Sequence, residues 1–204
     1  MTHERRDAAK RLYEVAEGQQ GFFTTKQAKA AGFAENTHPY HVQAGNWIRE
    51  YRGIYRLANF PRAERPDLML WFLWSRNRDE TPQGVYSHQT ALSLHDLSDT
   101  MPAKLQMTVP LGFRRNSEIP RMLVLHYADI RENDIEIILG VHVTKPMPTI
   151  LDLLAQAEMP VAELRQALRE GLRRGIIRRG EIAETRKRIG ESKQLRASFE
   201  RIAA

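Results

Sequence analysis

Asn36, Thr37, Tyr40 and Gln43 set four hydrogen-bonding side chains on one short predicted helix, and Arg49, Arg52 and Arg56 follow on the next segment. Side chains of the first kind at the start of a helix can reach base edges in a DNA major groove. Guanidinium groups just beyond suit phosphates or a minor groove. Thr25, Lys26 and Lys29 on the preceding helix complete the set, with the two lysines placed to clamp a phosphate. The plain alternative is a solvated charged face, which short helix pairs with scattered arginines present in many proteins.

The elements that position these residues are legible from their punctuation. In GFFTTKQAKAAGFAENTHPYHVQAGNWIREYRGIYRL, residues 21–57, Thr24 and Thr25 are start signals for a helix over 26–31. Gly32 ends it, as a glycine just past a helix commonly does. A second helix starts at Asn36 or His38, with Pro39 in its first turn, where no backbone donor is missed, and Gly45 stops it. Two β-prone runs, 47–51 and 54–57, flank Arg52-Gly53 as a hairpin. Two helices joined at a glycine form a helix-turn-helix, and the hairpin adds a wing. Residues 4–17 carry Ala8, Leu12, Val15 and Ala16 at helical spacing, a first helix closing a core with Phe22, Phe23, Phe33 and Trp47.

Catalytic and metal chemistries find less support. The 204-residue chain has no cysteine, which excludes disulfides, thiolate metal sites and thiol catalysis. Neither GxSxG, GxxxxGK[ST], GxGxxG nor HExxH occurs. Ser87, His88 and Asp99 suggest a triad only by composition. His88 and His95 share one predicted helix face without a carboxylate at ligand spacing, so no metal is expected there. No catalytic residue, cofactor or enzymatic activity is expected. The first twenty residues lack an apolar run, and no segment is long enough to span a membrane, so a cytoplasmic protein is expected.

Net charge is +6, and its distribution is uneven. Residues 161–204 hold twelve Lys/Arg against six Asp/Glu, residues 1–60 nine against six, and residues 61–160 ten against thirteen. Two basic ends around a mildly acidic middle favour nucleic acid or an acidic partner. Pro61 and Pro66 flank a polar bridge read as the domain boundary. Beyond it come an apolar helix from Asp67, a strand at 85–86, a helix opened by Ser87 and a turn over 99–102. Strands at 104–109 and 121–126 follow as neighbours, then a short helical turn over 128–133, a hairpin around Gly140 and a helix entered through Pro146 and Pro148. The last quarter reads as helical with breaks near Gly175 and Gly180. Leu164, Leu168, Leu172 and Ile176 form one apolar stripe.

The entry Gly21-Phe22-Phe23-Thr24-Thr25 and the wing Arg52-Gly53-Ile54-Tyr55-Arg56-Leu57 resemble the winged helix-turn-helix at the start of the AbiEi family of antitoxins, from type IV toxin–antitoxin (abortive infection) systems. VYSHQTALSLHDLSD, residues 85–99, is similar to the segment Ser-His-x-x-Ala-Leu-x-Leu-His-x-Leu-Ser-Asp of that family, and LQMTVP, VLHYADI and VHVTKPMPTILDLL follow in its order. The resemblance covers about residues 10–156. It implies a bacterial winged-helix repressor of its own operon that counters a nucleotidyltransferase-like toxin without a stable complex. His38, Pro39 and His41 depart from the pattern, since relatives tend to place apolar residues on the recognition helix.

The expected architecture is α+β. A winged helix-turn-helix DNA-binding domain spans 1–62, and a mixed α/β antitoxin-type domain with a basic helical tail spans 66–204. The expected partner is double-stranded operator DNA, bound by a homodimer if the operator is palindromic. The competing readings are a protein-interaction module and a stand-alone winged-helix regulator.

Overall fold

The computed structural model describes residues 3–99, 102–115, 118–190 and 192–203. The fold is mixed α and β, and the chain divides into two compact units, residues 1–83 with 139–141, and residues 84–138 with 142–204.

The first unit begins with α1 (His3–Glu17), then β1 (Phe22–Thr24) and α2 (Thr25–Ala31). Thr24 caps α2 through a capping box: its hydroxyl accepts from the Gln27 amide and the Gln27 side chain accepts from the Thr24 amide. Such a cap contributes about 1 kcal/mol. Gly32 closes α2 at φ 108°, a left-handed position that a side chain would strain. A single 3-10 turn (Glu35–Thr37) leads into α3 (His38–Gln43), which Gly45 terminates at φ 74°. The wing is β2 (Trp47–Tyr51) and β3 (Ile54–Leu57), and the three antiparallel strands lie in the order β1-β3-β2. Helix, strand, helix, helix and hairpin in that order make a winged helix, as the glycine punctuation implied. Its core joins Leu12 and Ala16 of α1, Phe23, Ala28, Ala31 and Trp47, with Phe33 and Tyr55 packed against them.

The compact unit runs beyond the boundary expected between residues 62 and 66. It also takes in α4 (Pro66–Trp74). The reason is the composition of α4: Leu68, Met69, Phe72, Leu73 and Trp74 are all buried, so most of the helix surface needs apolar packing. Its Trp71 also meets Tyr51 of the wing edge-on, at 5.2 Å between ring centroids.

The second unit holds β4 (Val85–Tyr86), α5 (His88–Leu94), β5 (Leu105–Val109), β6 (Leu123–Tyr127), β7 (Ile135–Ile138) and, apart from its first residue, β8 (Val141–Thr144). Four helices follow: α6 (Pro146–Gln156), α7 (Val161–Arg173), α8 (Arg179–Arg188) and α9 (Lys193–Ala203). The five strands lie in the order β6-β5-β4-β8-β7. Strands β5 and β6 are neighbours, as expected, and they run parallel, with Leu105 opposite Leu123 and Val109 opposite Tyr127. Strand β4 pairs antiparallel with β5 and parallel with β8, which makes the sheet mixed. Leu139 and Gly140, both at positive φ, form the tight turn between β7 and β8.

Three local expectations are corrected. The tail breaks at Gly175 and again at Gly190, both at positive φ, whereas Gly180 lies in the first turn of α8. The apolar stripe holds at Leu164 and Leu168, but Ile176 is 39% exposed and Ile177 enters the core in its place. The chain has already left the helix at Arg173, so four-residue spacing no longer applies there. The short helical turn expected over 128–133 falls at Glu132–Asp134. Of the turn expected over 99–102, Thr100 and Met101 lie outside the described residues.

Candidate nucleic-acid interface

The candidate interface lies on α2, the 3-10 turn, α3 and the wing. Helix α3 has only six residues, too few to hold itself by propensity alone, so tertiary packing must fix it. The histidines that departed from the family pattern do this. His38 is buried and lies edge-on to Trp47 and Tyr55, at 5.2 and 5.7 Å between centroids. His41 stacks on Trp47 at 4.6 Å and 20°, and Phe33 meets both rings edge-on. Flat rings stand where apolar side chains would otherwise pack. Partial burial, then the charges of His38 and Arg5, push the His41 pKa below its usual value of 6.5 and favour the neutral ring on Trp47.

With one face of α3 held this way, the other is open. Tyr40 is 66% exposed, and Asn36 and Gln43 are exposed. None of the three directs its side-chain polar atoms to a hydrogen bond among the described residues. Thr37 differs, because its hydroxyl donates to the Ala34 carbonyl at 2.6 Å and locks the 3-10 turn.

The wing separates its three arginines. Arg52 stands beside Gly53 at the tip, where φ of 73° closes the turn, and both Arg52 and Arg49 are exposed. Neither forms an ion pair among the described residues. Arg56 is placed otherwise than expected, buried at 6% exposure with its Nε donating to Glu50 Oε1 at 2.7 Å. Ile48 lies opposite Arg56, and Glu50, two residues on and the extra residue where the β2–β3 register shifts between Arg49 and Tyr51, meets its guanidinium. A period-two signal was present in the sequence, because Arg56 shares a strand face with Ile54, which is also buried.

On α2 the cationic groups are held locally. Lys26 donates to the Arg78 carbonyl, and Lys29 pairs with Glu35 at 3.2 Å across an exposed surface. Surface pairs of that kind are weak enough for a phosphate to displace. Thr25 ties α2 to the wing, its amide donating to the Gly53 carbonyl at 3.0 Å. Sequence reasoning also missed Arg11, whose guanidinium donates twice to the Ala31 carbonyl and so fixes α1 against the end of α2.

The other constellations weighed in the sequence resolve differently. Ser87 and His88 do meet, at 2.9 Å, but both are buried and Asp99 is exposed without joining them. Thr108 donates to the Ser87 hydroxyl at 2.8 Å, so this serine belongs to an internal network rather than to an open cleft. His95 does not pair with His88; its Nε2 lies 2.8 Å from the Thr144 carbonyl, fastening α5 to the end of β8. Among the described residues, no helix is long and apolar enough to cross a membrane.

Residues 10–58 match the model of a family described as transcriptional regulators, AbiEi antitoxin. The matched stretch runs from within α1 to just past β3, and so takes in the helices and the wing described above. None of the curated proteins matches the chain. Among solved structures, the crystal structure of RV2827C protein from Mycobacterium tuberculosis is similar over 79% of this chain and 71% of its own, with 11% identity and a TM-score of 0.49.

Proposed function

We propose, for a chain whose residues 10–58 carry the AbiEi antitoxin regulator pattern, that the winged unit binds operator DNA and represses its own operon. The observation that carries this is the division of polar groups on α3 and the wing. Those that packing requires are engaged, while Asn36, Tyr40, Gln43, Arg49 and Arg52 are open on the two elements a winged helix presents to DNA. Asn36, Tyr40 and Gln43 read base edges. Arg49 and Arg52 contact phosphate or minor groove, assisted by Lys26 and Lys29 once released from their local partners. Thr25 and Thr37 hold the scaffold, and Arg56 supports the wing from inside.

The finer reading is an antitoxin of a type IV pair, opposing a nucleotidyltransferase-like toxin without a lasting complex. Its support is the family match together with the similarity of the 85–99 segment noted in the sequence. Two copies on a palindromic operator fit this scheme. No catalytic step is assigned to the chain.

A reporter driven by the chain's own upstream region tests the repressor role. Repression by the intact protein and its loss in the double variant Asn36→Ala, Gln43→Ala, with the fold retained, is the expected result. Undiminished repression by that variant contradicts base reading from α3. Co-expression with a neighbouring toxin gene tests the finer reading: rescue of growth without co-purification supports a type IV pair, and a stable complex contradicts it.

A further inference from the structure

We propose that the second unit carries a site for a divalent transition cation of the zinc class, ligated by His88, His126 and Glu158. These residues stand far apart in the chain, at the start of α5, on β6 and just after α6. The fold brings one potential ligand atom from each within 4.8 Å of the others.

The imidazoles of His88 and His126 lie face to face, 3.7 Å between centroids and 12° from parallel. Nε2 of each ring is buried with no hydrogen-bond partner among the described residues. Buried polar atoms in native proteins nearly always find a partner, so two such nitrogens side by side, with a carboxylate at hand, need an explanation. A cation answers all three groups at once, accepting both nitrogen lone pairs and balancing the carboxylate.

The surrounding bonds suit a ligand set. His88 Nδ1 lies 2.9 Å from the Ser87 hydroxyl, and in the tautomer whose Nδ1–H donates to it, Nε2 keeps its lone pair for a metal. Thr108 donates to that same hydroxyl and steadies it. Gln106 donates to Glu158 Oε2 at 3.3 Å and accepts the Gln89 amide at 2.7 Å, which orients the carboxylate and the first turn of α5 together. Outer partners of this kind commonly align metal ligands. His88 itself has φ of 54°, a strained position for a residue that is not glycine.

The donor set selects the cation. Two imidazoles and one carboxylate match the three-ligand zinc sites that leave a fourth position open, whereas magnesium and calcium prefer oxygen alone. With no cysteine in the chain, metals that require thiolate are disfavoured. Burial, and then His126, push the His88 pKa down to about 4, and burial likewise lowers that of His126 against the opposing effect of Glu158. Near-parallel rings do not aim their in-plane lone pairs at one point, so coordination must turn them until they converge.

The test is titration of the full, metal-free chain with Zn(II) by calorimetry, and with Co(II) as the spectroscopic probe. The expected result is one equivalent bound at micromolar affinity or tighter, with the ring signals of His88 and His126 shifting in NMR. His126→Gln and Glu158→Gln should each weaken binding about tenfold or more. His3→Gln, at an exposed position on α1, should leave it unchanged. If His126→Gln does not fold, Glu158→Gln alone decides the outcome. Absence of binding, or affinity that survives either glutamine substitution in a folded protein, overturns the proposal.

Discussion

The tip and the base of the β2–β3 hairpin use the same side chain for opposite ends. At the tip, Arg52 extends from a glycine turn into solvent, available to any anion. At the base, Arg56 is enclosed with Glu50 and serves the sheet. Composition does not separate them. What separates them is position: Arg52 lies in the turn, outside either strand, whereas Arg56 lies within β3 on the buried face it shares with Ile54, in reach of the Glu50 carboxylate. An arginine in a basic motif is therefore assigned by its partner before its charge is counted.

Four variants or conditions break or sharpen this contrast. Trp47→Ala removes the ring against which Phe23, Phe33, His38 and His41 pack, and should cost about 3–5 kcal/mol, enough to unfold the winged unit and silence tip and base together. Chemical denaturation measures it. Arg56→Ala leaves Glu50 without its counter-charge in a largely buried position, and should cost roughly 2–4 kcal/mol. Any loss of DNA binding in that variant should track the loss of folded protein in the same denaturation series.

Arg52→Ala should do the reverse. Stability should stay within about 0.5 kcal/mol, while binding weakens on every DNA sequence and the slope of log affinity against log salt falls by about one. If Arg52→Ala destabilised the fold and Arg56→Ala flattened the salt slope, the two roles would have to be exchanged.

The smallest effect belongs to His41. Its folded pKa is lowered, so its stabilising contribution is complete above the unfolded value of 6.5 and is lost as pH falls through the folded one. Acidification below neutrality should therefore weaken the winged unit modestly, and His41→Gln should reduce that pH dependence. A ring titration followed by NMR that gave a folded pKa at or above 6.5 would contradict this.

Much of the winged unit was legible because its signals are local. Gly32, Gly45 and Gly53 each mark a turn that requires positive φ, and Pro39 suits the first turn of a helix. The rest depended on distant parts of the chain. Helix α4 read as the start of a new domain because a polar, proline-flanked bridge precedes it, yet its apolar surface places it in the first unit. His88 reaches His126 by way of Thr108, which lies opposite His126 on the neighbouring strand and donates to Ser87, and no sequence spacing announces that. His38 and His41 looked like departures from an apolar recognition helix, and only their contacts with Trp47 reveal them as its packing.

The most direct test of operator recognition is the affinity of the purified protein for its own upstream DNA against a scrambled duplex, at about 50 and 200 mM salt. The expected result is a preference for the upstream sequence that persists at the higher salt, and that is lost when Asn36 and Gln43 are replaced by alanine. Equal binding to both duplexes, vanishing as salt rises, would contradict it and leave only the attraction of a chain with net charge +6.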